Sequence, residues 1–188
     1  MNLILASKSP RRKDILIEHG YKFKVKEADF IETDLTLLPI QTAVNNALGK
    51  ATAVFNAVND KSAVVLGADT VVFYNGEILG KPTSPIHAVK MLKTLSNATH
   101  TVVTGFAIVT DKHSQTGFSE TQVTFNELSE KLILDYVASG SPLDKAGAYG
   151  IQDDYPLVKE FVGSLNNVIG LPIEQIKPIL DGVLRLNK

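Results

Sequence analysis

Ala63-Val64-Val65-Leu66-Gly67-Ala68-Asp69-Thr70-Val71-Val72-Phe73-Tyr74-Asn75-Gly76 holds an apolar run, a lone acid and a turn signal in immediate succession. The run from Ala63 to Ala68 is continuous and apolar, as in a strand. Asp69 ends it, Val71 to Tyr74 resume a strand pattern, and Asn75-Gly76 is a type I′ hairpin signal. An acid at the end of such a strand stands where α/β proteins place ligands, beyond the carboxyl ends of the strands. Its carboxylate could hold a divalent metal, accept a proton from water, or merely bond loop amides and cap a turn.

The flanking segments alternate between strand and helix. Upstream, Leu3 to Ala6 reads as a short buried strand. Ser9 reads as the cap of a helix with Pro10 at its first position, closed by Gly20. Tyr21 to Ala28 alternates like a strand, and from Pro39 the residues Val44, Ala47, Leu48, Ala51, Val54, Phe55 and Val58 recur at helical spacing. Downstream, Ser84 and Pro85 open a helix ending near Leu95, and Thr101 to Val109 and Gly117 to Phe125 form two strands. Ser129 caps a further helix, Ser141 to Pro156 is loop-like, Leu157 to Val162 is a strand, and a last helix runs from Pro172 toward Leu186. This order predicts an α/β fold: a single domain over residues 1–188, with two lobes around one cleft.

Composition narrows the function classes. The chain has 188 residues, 44% of them apolar, which suffices for a proper core. With 19 basic and 20 acidic residues its net charge is -1, unlike domains whose surface tracks nucleic acid. Cysteine is absent, which removes disulfides and thiolate metal sites. The opening residues lack a basic leader, and no apolar stretch approaches the roughly 18 residues of a membrane helix. A cytoplasmic protein is expected, with neither membrane nor nucleic acid as partner.

Three further clusters carry chemistry. Ser7-Lys8-Ser9-Pro10-Arg11-Arg12 lies between a strand and a helix, where free amides and the helix dipole favour an anion. Ser7 offers a hydroxyl, and Arg11 and Arg12 offer forked donors suited to phosphate; a capped helix with two solvated arginines would look the same. Gly80-Lys81-Pro82 lacks the spaced glycine of a phosphate loop, so Lys81 alone reads as a loop charge. Asp144-Lys145-Ala146-Gly147-Ala148-Tyr149-Gly150-Ile151-Gln152 is small enough for close backbone approach to a ligand, and Gln152 can read the edge of a base; an ordinary tight loop is the other reading. The four histidines show no metal spacing, and no Gly-x-Ser-x-Gly elbow is present.

Taken in order, Leu5-Ala6-Ser7-Lys8-Ser9-Pro10-Arg11-Arg12, Gly67-Ala68-Asp69-Thr70-Val71-Val72, Gly80-Lys81-Pro82, Asp144 to Gln152 and Gly170-Leu171-Pro172 resemble the motifs of the Maf family of nucleotide pyrophosphatases. The resemblance implies an elongated, curved mixed sheet with a central cleft, related to the inosine triphosphate pyrophosphatases. It implies a homodimer that cuts nucleoside triphosphates to a monophosphate and pyrophosphate with magnesium or manganese. On this resemblance Asp69 is the proton acceptor, and Ser7, Arg11, Arg12, Lys50 and Lys81 grip the triphosphate. Asp69 and Glu32 would hold the metal, and Arg11, Thr70 and Gln152 would select the base. The string Ala-Gly-Ala-Tyr-Gly-Ile-Gln resembles the branch acting on dTTP, UTP and related pyrimidine nucleotides. The family is also linked to arrest of septum formation, so a non-catalytic regulator acting through a partner, or a nucleotide sensor, is the alternative. Two departures stand out: Asp153-Asp154 where a Gly-rich step is usual, which would put negative charge beside the nucleotide, and Asn97 where Gly is usual.

Overall fold

β3 (Ala63–Tyr74) is the spine of the molecule in the computed structural model, which describes residues 2–32 and 38–186. It is one uninterrupted strand, so Asp69 stands in its middle and not at its end. On one edge it pairs antiparallel with β5 (Thr99–Val109), from Val65↔Val109 to Phe73↔Thr101. β6 (Ser114–Phe125) and β7 (Val158–Val162) follow, both antiparallel.

The other edge of β3 is shared by two short partners. β1 (Asn2–Leu5) runs parallel along its first third, ending at Leu5↔Leu66. β4 (Glu77–Leu79) returns from the Asn75-Gly76 turn and begins pairing at Val72↔Leu79. Among the described residues, no strand pairs with residues 67–71 on that edge. Outside β1 lies β2, which has only two residues (Lys24–Val25) where the alternation suggested eight. Both β2 residues are exposed, while Tyr21 and Phe23 pack on the core beside Ile15 and Leu16 outside the ladder. The result is a mixed seven-stranded sheet.

The helices cover this sheet in three patches. α1 (Pro10–Glu18) and α6 (Ile173–Leu186) bury Ile15, Leu16, Ile176 and Leu180 against Val64, Leu66 and Ala68. α3 (Pro85–Leu95) and α4 (Glu130–Ala138) bury Leu92, Leu95, Ile133 and Tyr136 near Val72. These two covers share one face of β3, and Thr70 falls between them. α2 (Pro39–Val58) covers the opposite face with Ala47, Ala51 and Val54. None of the helices is long and apolar enough to cross a membrane, among the described residues.

α2 lies unusually close to the sheet. A Cβ on Gly67 would come within 2.3 Å of the Ala47 carbonyl oxygen, and one on Gly105 within 2.4 Å of the Ala43 backbone. Glycine on the strands and alanine on the helix thus let two backbones touch. A short helix, α5 (Leu165–Ile169), capped by Ser164, precedes α6 where none was foreseen. Ser9 occupies the cap position of α1, but its side chain makes no capping bond; its amide instead donates to the Ser7 hydroxyl.

Candidate active site

A cavity of about 490 Å³ opens at the gap along β3, a size suited to a small-molecule ligand. Its walls come from the end of β1, the start of α1, the middle of β3, the loop after β4 and the segment 144–152. Every residue given a catalytic, binding or metal role on the resemblance lines it: Ser7, Arg11, Arg12, Glu32, Lys50, Asp69, Thr70, Lys81 and Gln152.

Asp69 is 7% exposed, and both of its oxygens are held by α2. Lys50 Nζ donates to Oδ1 at 2.6 Å and Asn46 Nδ2 to Oδ2 at 3.1 Å. Asn46 and Lys50 are one turn apart, so they project from the same helical face. The close approach of α2 at Gly67 brings that face within reach of the strand. Lys50 also pairs with Glu32 at 2.7 Å, so two carboxylates converge on one ammonium. Partial burial pushes the Glu32 carboxyl up, but the Lys50 hydrogen bond and charge, with Lys81 and Arg12 behind, hold it below the usual carboxylate range.

Arg12 bridges the break in the sheet. Its Nε donates to the Gly170 carbonyl at 2.7 Å, and Nη1 to the Ala68 carbonyl at 2.9 Å and the Ser7 hydroxyl at 3.3 Å. Nη2 donates to Thr70 Oγ1 at 3.0 Å. Burial draws its pKa below the usual guanidinium value, and Asp69 partly offsets this. Most of its fork is therefore committed to protein oxygens, and its charge reaches the cavity chiefly as a field. Arg11 sits at the mouth, its Nη1 3.1 Å from Asp144 Oδ2 on the opposite wall.

The 144–152 wall is stiffened from behind. Lys145 Nζ donates to Ser141 O at 2.5 Å and Asp144 Oδ1 at 2.9 Å, and lies 3.6 Å from Asp153 Oδ2. Asp153 accepts from the Tyr136 hydroxyl at 2.5 Å and from Ser141 Oγ at 2.7 Å. Burial first, then that bond to Asp153, pushes the Tyr136 pKa well up. The Asp153 charge is thus taken up inside the loop's own scaffold, while Gln152 borders the cavity. Asn97, the other departure, takes the left-handed conformation at φ 55, which Asn tolerates.

Asn46 was not singled out from sequence. Its signal was there: Thr42, Asn46 and Lys50 form a polar seam beside the Ala43, Ala47 and Ala51 stripe of the same helix.

A family model described as Maf-like protein matches residues 2–183. A protein of Moorella thermoacetica named dTTP/UTP pyrophosphatase is 45% identical over 182 residues, covering 95% of this chain and 93% of that one. A Bacillus cereus protein of the same name is 44% identical over 176 residues, covering 93% and 91%. Among solved structures, the Ham1 protein of Staphylococcus aureus is similar at 17% identity and a TM-score of 0.48, over 68% of this chain and 73% of that one. The near full-length match, with the motifs gathered around one cavity, means that the chain belongs to the Maf family.

Proposed function

We propose that the chain is a nucleoside triphosphate pyrophosphatase acting on dTTP, UTP and related pyrimidine nucleotides, releasing the monophosphate and pyrophosphate. The observation that carries this reading is a buried carboxylate, Asp69, set among cationic groups in a chain 45% identical to a dTTP/UTP pyrophosphatase. Lys50, Lys81, Arg11 and the Ser7 hydroxyl line the same cavity as Asp69 and offer donors to a triphosphate. Val72, Val102, Tyr149 and Val168 give it an apolar recess for a base.

Asp69 and Glu32 suit a divalent cation such as magnesium or manganese. Two carboxylates already bracket one positive charge at 2.6 and 2.7 Å. Among the described residues no third acidic or imidazole ligand joins them, so phosphate oxygens and water would complete the set. A cation held by Asp69 and Glu32 would supply neutralisation of the phosphate charge. Water attacks the α-phosphorus, its proton passes to the Asp69 carboxylate, and the α–β bridging bond breaks to release pyrophosphate. Asn46 aims the carboxylate, while Lys50, which a cation would displace from between the two carboxylates, joins Lys81, Arg11 and Ser7 in holding the phosphates in line. Arg12 adds charge behind them and fixes Ser7 and Thr70.

This reading takes a second copy of the chain as partner in a homodimer, and neither nucleic acid nor membrane. It sets the work in the cytoplasm, beside the nucleotide pool. Purified protein given dTTP or UTP with magnesium or manganese should release pyrophosphate in a metal-dependent way. Release of orthophosphate instead, or no product, would overturn the reading.

A further inference from the structure

Thr70 lies in a hydrogen-bond chain whose direction can be deduced atom by atom. Its Oγ1 is 3.0 Å from Arg12 Nη2, 2.9 Å from Thr104 Oγ1, and through Thr104 linked to the Asn167 main-chain oxygen at 2.8 Å. A guanidinium only donates, and a carbonyl oxygen only accepts. Thr104 therefore spends its single hydrogen on Asn167 O. Thr70 in turn spends its hydrogen on Thr104, while accepting from Arg12. One lone pair is all that the Thr70 hydroxyl has left for a ligand.

The far end of the chain is fixed as firmly. Asn167 is fully buried; its Nδ2 donates to Val102 O at 3.0 Å and Thr121 Oγ1 at 2.9 Å, and its Oδ1 accepts from the Thr104 amide at 3.1 Å. Thr104 is fully buried as well. Neither residue can turn to reverse the chain without leaving a buried polar group unmet. On the sheet face, Thr70 and Thr104 are register partners beside Val72 and Val102, the partners that line the apolar recess.

We propose that Thr104, seated on Asn167, is a specificity-positioning residue that makes Thr70 an acceptor only, so that the site reads a hydrogen-bond donor on the base. The inference rests on the pyrimidine reading above and deepens it. Uracil and thymine carry a donor at N3, whereas cytosine presents a bare acceptor there. A hydroxyl free to rotate would serve both, but one held in this direction rejects cytosine by leaving two acceptors face to face.

The test compares kcat/KM for UTP, CTP and N3-methyl-UTP in the parent, Thr104→Val and Thr104→Ser. The parent should favour UTP over both others. Thr104→Val frees the Thr70 hydrogen and should lower the UTP:CTP ratio about tenfold, the weight of roughly one hydrogen bond, while Thr104→Ser keeps the ratio. A merely structural role for Thr104 would lower UTP and CTP turnover together, and that outcome overturns the proposal. So does N3-methyl-UTP cleaved as fast as UTP by the parent, a measurement that needs no variant to fold. No pyrophosphate from either UTP or dTTP would sink the parent reading, and this one with it.

Discussion

Lys50 Nζ lies 2.6 Å from Asp69 Oδ1, and the contact joins a helix on one face of the sheet to the middle of its central strand. With Asn46 on the other oxygen, the carboxylate is gripped from one side and presented to the cavity on the other.

Replacing Asp69 by Asn keeps the side-chain volume, removes the proton acceptor and sets an amide N–H against one of the two donors that grip it. Pyrophosphate release should fall on the order of 10³-fold, the usual weight of general base catalysis, with a fall of about 1–3 kcal/mol in stability. Turnover within tenfold of the parent would rule out the role given to Asp69.

The approach of α2 should be equally sensitive, although it contains no polar side chain. Gly67→Ala places a methyl within 2.3 Å of a backbone oxygen that cannot rotate away. Stability should fall by about 1–3 kcal/mol, as for overpacked cores, and kcat should fall too because Asn46 and Lys50 move with the helix. Denaturant titration and steady-state kinetics on one preparation check both. Unchanged stability would show that the helix has slack.

Asp153 should behave as a scaffold residue. Its carboxylate holds the Tyr136 hydroxyl and Ser141 Oγ behind the cavity wall. Asp153→Ala should cost about 2 kcal/mol of stability, the scale of hydrogen bonds to a charged group. A large rise in KM for UTP with stability intact would instead put its charge beside the nucleotide.

His100 gives a pH signature. The ring is 2% exposed, packed edge-on against Phe125 and Tyr149, and burial lowers its pKa to about 4 from an ordinary 6.5. The folded protein therefore binds the proton less readily than the unfolded chain. Stability should be intact above pH 6.5, decline as pH falls toward 4, and level off below, a loss on the order of 3 kcal/mol. Urea titrations across that window should show the slope, and His100→Gln should flatten it. An equal slope in the variant would assign it elsewhere.

Much of this was legible along the chain, for local reasons. Asn75-Gly76 forms its hairpin with φ of 50 and 84, and Ser84 and Ser129 cap their helices as read. The motif residues were legible as a set because each cluster has its own local chemistry. Asp69 was misplaced at a strand end because Gly67-Ala68-Asp69-Thr70 lacks apolar bulk. The strand continues there because α2 and β5 press on both sides, a tertiary effect outside any local pattern. α5 has only five residues, too few for periodicity to register. The direction of the Thr70 hydroxyl depends on Thr104 and Asn167, which are 34 and 97 residues away in sequence.

β3 passes beneath both helical covers and carries Asp69 where they part. The two halves of the protein are therefore not separable modules docked at a seam. Cutting the gene at the cleft would sever the strand itself, and neither fragment could inherit the carboxylate with its grip from α2 and its pairing with β5. Any rearrangement of modules that preserves this site must keep residues 39–109 together.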